Sequence, residues 1–167
     1  MIEAVTLVLL AAVITAMAAR RGWWLTRSRS WSMYPALHHG DVVLTRRVRE
    51  TEPIRRGDVV LIASAELGRP VVKRVVGLPG ERVEVGAHGV TLDRIDLREP
   101  YVAIHGGPPG SFCVPMQTYF VLGDNRPWSN DSRCWTMPFV PAAAIWGRLA
   151  ARPLTRRAGR AVQLRGV

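Results

Sequence analysis

From residue 26 onward the chain carries no apolar repeat at helical spacing. Its hydrophobic residues come in short runs, each ended by glycine, proline or a charged turn. The runs cover residues 41–44, 58–62, 71–76, 82–85, 119–122 and 145–149. Short β-branched and aromatic runs between turn signals read as strands. Six of them predict a mainly β domain, barrel-like and all-β, over residues 26–151. A single domain of this length can bury a core of its own. The 48% apolar content, with 15 glycines and 12 prolines, fits a turn-rich β protein better than a disordered chain.

The amino end follows a different rule. Residues 4–19 are apolar apart from Thr6 and Thr15, and the stretch stops at Arg20 and Arg21. As a helix it would reach about 24 Å, a little short of a bilayer core of roughly 30 Å. Trp23, Trp24 and Leu25 extend it if the arginines snorkel, and paired tryptophans suit a membrane interface. The expectation is one N-terminal transmembrane helix within an anchor of residues 1–25. Ala16-Met17-Ala18 also fits a cleavable leader, although the amino end holds Glu3 and no Lys or Arg. Arg20, Arg21, Arg27 and Arg29 follow the span, and the positive-inside rule alone would keep the remaining domain in the cytoplasm.

Formal net charge is +10, from 23 Lys+Arg against 13 Asp+Glu. Such a balance favours anionic surfaces, either acidic lipid head groups or nucleic acid. The tail, residues 152–167, carries Arg152, Arg156, Arg157, Arg160 and Arg165 and reads as a basic end that solvent or lipid would cover. Two cysteines without clustered histidines do not make a zinc site, so neither metal nor cofactor is expected.

Three stretches stand apart from this background. Ser30 and Ser32 are two residues apart, so an extended backbone would point both hydroxyls the same way. Lys73 stands in the β-branched run Val71-Val72-Lys73-Arg74-Val75-Val76. On a strand it shares a face with Val71 and Val75, while Arg74 turns to the other side. The third stretch, 123–133, is dense in small polar and charged groups. A serine hydroxyl needs a base to become a nucleophile, and a lysine amine can be that base only when neutral. Burial among apolar side chains is the usual way to lower its pKa.

These stretches resemble the type I signal peptidases, membrane-bound serine proteases with a Ser/Lys dyad. The resemblance rests on Ser-Met-x-Pro-x-Leu at 32–37, Arg-Gly-Asp-Val-Val at 56–60, Lys-Arg-Val-Val-Gly-Leu-Pro-Gly at 73–80, and Gly-Asp-Asn-Arg at 123–126 followed by Ser-x-Asp-Ser-Arg at 129–133. It implies an all-β catalytic domain outside the cytoplasm, against the charge rule. It implies Ser32 as nucleophile and Lys73 as general base, with Ser30 and the Ser32 backbone N–H at the oxyanion. Ser129 would orient the lysine amine, and Asp131 and Arg133 would form a buried supporting ion pair. Asp124, Asn125 and Arg126 read as a structural turn. Substrates would be exported preproteins with small residues, typically alanine, at the first and third positions before the cut. Shallow pockets lined by Met33, Leu37, Val71 and Val72 would fit them. Trp31 and Arg29 depart from the family pattern beside the serines.

Outside the cytoplasm two cysteines in one domain favour a Cys113–Cys134 disulfide, with two buried free thiols as the alternative. None of His38, His39, His88 or His105 sits in a recognisable triad motif, which argues against Ser-His-Asp chemistry. The expected partners are preproteins and anionic membrane lipids, with no nucleic acid. Two rival readings remain: a processing protease with one exported client, and a non-catalytic basic module that binds membrane or nucleic acid.

Overall fold

A computed structural model describes residues 2–49, 51–150 and 153–154. The basic tail expected over residues 152–167 therefore lies almost wholly outside the described residues. Among the described residues one α-helix, α1 (Ile2–Arg20), is followed by eleven strands: β1 (Trp23–Arg27), β2 (Val42–Arg47), β3 (Val59–Ser64), β4 (Arg69–Gly77), β5 (Arg82–Val85), β6 (Val90–Leu92), β7 (Ile95–Asp96), β8 (Gly110–Cys113), β9 (Thr118–Leu122), β10 (Phe139–Pro141) and β11 (Ile145–Leu149). All six expected runs are strands.

Every strand pairing is antiparallel. The larger sheet runs β1-β2-β11-β3-β4-β9-β10 and the smaller β7-β6-β5-β8. The larger sheet keeps β1 and β10 as edges, and the mainly β expectation holds. The smaller sheet is the segment between β4 and β9. It packs on the larger through Val76, Phe120 and Leu122 against Val83, Val85, Val90, Leu92 and Val114. Gly77 sits at that seam, where a Cβ would fall 2.5 Å from Val83 and 2.9 Å from Phe120. Only glycine lets the sheets close. A second cluster, including Val60, Ile62, Val75, Val121 and Trp135, makes the core on the Lys73 side of β4.

The amino end corrects one expectation. Trp23, Trp24 and Leu25 do not prolong the helix; they form β1 and pair with Arg46, Thr45 and Leu44 of β2. Gly22, at φ +78, supplies the left-handed residue that ends the helix, and its carbonyl accepts from Arg47 N–H at 2.7 Å. The strand domain thus begins before residue 26. Among the described residues no helix is long and apolar enough to cross a membrane. On α1 the side chains of Val5, Leu7, Val8, Leu9, Leu10 and Val13 are nevertheless all exposed.

The disulfide is also corrected. Cys113 and Cys134 are free, and both are exposed rather than buried. Cys113 ends β8 in the smaller sheet, opposite Arg82. Cys134 is held in a turn by its N–H bond to the Asp131 carbonyl at 2.8 Å. The two cysteines belong to different parts of the fold, which chain proximity did not reveal.

Candidate active site

Lys73, the only lysine in the chain, lies in the middle of β4 opposite Val60 of β3. Cross-strand partners share a face, so its stem runs along the core that contains Val60 and Val75, and only 3% of the residue is exposed. Burial lowers its pKa from the ordinary 10.5 to about 8. The Asp131 carboxylate opposes that fall, while the Arg133 and Arg69 guanidiniums assist it. The ammonium donates to Ser129 Oγ at 3.0 Å.

Asp131 and Arg133 hold the floor of this site. Both side chains are fully buried and meet at 2.8 Å. Asp131 also accepts the Gly123 N–H at 3.0 Å. Arg133 donates onward to the carbonyls of Arg126 at 2.7 Å and Gly106 at 2.9 Å. The buried pair therefore stitches three segments around the lysine, and each charge is paired and hydrogen-bonded as burial requires.

The serines approach from the loop after β1. Ser30 Oγ and Ser32 Oγ are 3.0 Å apart, and the Ser32 N–H donates to Ser30 Oγ at 3.4 Å. Ser32 is buried and Ser30 is exposed. Asn125 clamps the loop: its N–H donates to the Ser32 carbonyl at 3.0 Å and its Nδ2 to the Trp31 carbonyl at 3.1 Å. Gly123 is where the two halves meet, because a Cβ there would collide with both Ser129 Oγ and the Ser32 carbonyl. The lysine–Ser129 pair and the Ser30–Ser32 pair thus flank one glycine. Among the described residues no hydrogen bond joins Ser32 Oγ to Lys73 Nζ.

Of the expected pocket residues, Met33 and Leu37 are 2% and 4% exposed and pack with Val43 in a small core. Their apolar side chains seat the serine loop. Val72 packs against this same cluster, while Val71 packs against the core on the other face of β4. Strand alternation places the two on opposite faces.

Sequence reasoning left Arg74 and Asp124 without a shared role. Arg74 forms a two-pronged pair with Asp124, at 2.7 Å from Nε and 2.5 Å from Nη2, and stacks 4.0 Å over the Tyr101 ring. Burial raises the Asp124 pKa against the pull of Arg74. Tyr101 donates to Glu99 at 3.0 Å, and Arg126 reaches the same Glu99 oxygen at 2.5 Å. Alternation along β4 had already turned Arg74 away from the Lys73 face. Nothing local to the sequence pointed to Tyr101 or Glu99, which arrive from the connection between β7 and β8 of the smaller sheet. The Asn125 clamp was equally hidden, because its partners lie some ninety residues away.

A mainly β scaffold that buries a single lysine against Ser129, with the Ser30–Ser32 pair beside it, defines the class of fold and site. The crystal structure of a signal peptidase I from Enterococcus faecalis shares this fold: TM-score 0.53 and 32% identity, over 59% of this chain and 98% of that one. The chain belongs to the signal peptidase S26 family, whose profile (signal peptidase, peptidase S26) matches residues 1–153. Curated relatives include a signal peptidase I of Leptolyngbya laminosa, 35% identical over 74% of this chain and 64% of that protein. A signal peptidase I of Bacillus amyloliquefaciens is 37% identical over 61% of this chain and 59% of that protein. The chain thus spans about three fifths of the length of these relatives.

Proposed function

We propose that this protein is a serine endopeptidase that removes signal peptides from exported preproteins by a Ser32/Lys73 dyad. The observation that carries the reading is Lys73, a buried amine with its pKa brought down to about 8. At pH 7 about one molecule in ten then holds it neutral, against fewer than about one in a thousand for an exposed lysine. Family membership supports the substrate class.

The chemistry follows from these atoms. The neutral Lys73 Nζ takes the proton of Ser32 Oγ as that oxygen bonds to the scissile carbonyl carbon. The carbonyl oxygen gains the negative charge and turns to the Ser32 N–H and the Ser30 hydroxyl, which release their mutual contact to meet it. Lys73 gives its proton to the departing amine nitrogen, and the C–N bond breaks. Water then attacks the acyl-serine ester, passing its proton through Lys73 back to Ser32 Oγ. Ser129 keeps the amine aimed throughout, and Asp131 and Arg133 hold Ser129's segment in place.

The exposed apolar side chains of α1 support membrane attachment through that helix, with the β domain on the extracytoplasmic face where exported chains are met. The test is cleavage of a preprotein by the purified full chain in detergent or liposomes. Wild type cuts between the signal peptide and the mature part; Ser32→Ala and Lys73→Ala do not. His38→Ala, His39→Ala, His88→Ala and His105→Ala keep activity. Substantial cleavage by Lys73→Ala would overturn the dyad. Protease protection of the β domain in intact cells would overturn the orientation.

A further inference from the structure

Five guanidiniums converge where the helix hands over to the sheet. Arg20 ends α1 and Arg21 follows it in the turn, Arg46 and Arg47 end β2, and Arg49 lies two residues further on. With Gly22 and Trp23 they line an open hollow of about 580 Å³, a size that accommodates a small polar head group. The hollow is built rather than incidental. Gly22 folds the chain back so that its carbonyl takes the Arg47 N–H, and a side chain there would press on Arg47 Cβ at 3.0 Å. Trp23 lies opposite Arg46 in the β1–β2 register, and the Arg46 guanidinium stands 5.9 Å over its ring.

The charge at this place is compensated only in part, by Glu52, which pairs with Arg46 and also feels Arg49. Glu52 lies within 3.6 Å of Arg148 as well. Among the described residues Arg20, Arg21, Arg47 and Arg49 make no salt bridge. Like charges gathered this closely repel unless an anion sits among them. Guanidinium forks match phosphate oxygens two at a time, which makes arginine the residue suited to that anion.

We propose that this hollow is a binding site for the phosphate group of an anionic membrane lipid. The choice of a lipid over a soluble phosphate rests on the reading of α1 as the membrane-attached element. The site lies at the end of that helix, with the indole of Trp23 beside it, at the depth where head groups and interfacial tryptophans are found. A lipid bound there would join the helix end to β2 and fix how the β domain stands on the bilayer.

The experiment uses the full chain in neutral detergent micelles, which cover α1 whatever lipid is added. Phosphatidylglycerol, phosphatidylcholine, glycerol phosphate and inorganic phosphate are titrated separately, and binding is read from the rise in thermal midpoint. Phosphatidylglycerol stabilises the protein saturably and the other three do not. Arg47→Gln/Arg49→Gln weakens that binding roughly 30-fold, as expected for two head-group contacts. Arg20→Gln/Arg21→Gln does the same from the helix side. Arg55→Gln/Arg98→Gln removes the same charge at exposed positions elsewhere and leaves binding unchanged. Equal losses in all three double variants would reduce the effect to diffuse charge and overturn the site. Equal stabilisation by inorganic phosphate would overturn the lipid assignment. Flotation with pure phosphatidylcholine vesicles reads α1 separately, so its failure there would count against membrane attachment and not against the hollow.

Discussion

Replacing Lys73 with methionine separates the cost of the buried amine from everything else at the site. The side chains are similar in volume, so the β4 packing survives. In the wild-type protein the Lys73 pKa falls from 10.5 to about 8 on folding. At about 1.4 kcal/mol per pH unit, keeping the charged form buried costs about 3 kcal/mol at neutral pH. The sign follows from proton counting. Between pH 8 and 10.5 the unfolded chain holds this proton and the folded chain has released it, so stability rises with pH through that window. Below pH 8 both states hold the proton, and the penalty is constant. Lys73→Met lacks the rise. The stability difference between variant and wild type should therefore shift by about 3 kcal/mol in favour of wild type between pH 7 and pH 10.5. The lost donor to Ser129 contributes a pH-independent offset and drops out of that comparison. The measurement is urea unfolding in micelles followed by tryptophan fluorescence across the pH series. Because Lys73 is the only lysine, selective isotope labelling also reads its titration directly by NMR. A pH-independent difference, together with a lysine titrating near 10.5, would refute burial as the source of the poised amine.

Three further outcomes follow from the geometry. Ser30→Ala removes the hydroxyl 3.0 Å from Ser32 Oγ and should lower kcat by roughly 10²–10³ with little change in KM, measured by steady-state peptide cleavage. Asp131→Ala leaves the fully buried Arg133 guanidinium without its carboxylate and should cost about 3–5 kcal/mol in urea unfolding. Thiol titration of the native protein should count two reactive cysteines, and a reductant should leave its unfolding midpoint unchanged, because Cys113 and Cys134 are free and exposed.

What the sequence determined by itself was local and periodic. The β-branched runs specified strands, because such side chains fit a pleated surface whatever lies beyond it. Alternation along 71–76 assigned Lys73 and Arg74 to opposite faces before any partner was known. The motifs carried the family. Tertiary structure decided everything that depends on which distant groups meet. It turned Trp23–Arg27 into an edge strand because β2 offered a free edge that the apolar run alone did not reveal. It kept Cys113 and Cys134 apart by assigning them to different parts of the fold. It packed Met33 and Leu37 into a core with Val43, since an apolar side chain does not tell which neighbour will cover it. It also brought Asn125 onto the serine loop and Glu99 and Tyr101 beneath Arg126 and Arg74. Such contacts are set by chain closure over long separations, and local sequence holds no record of them.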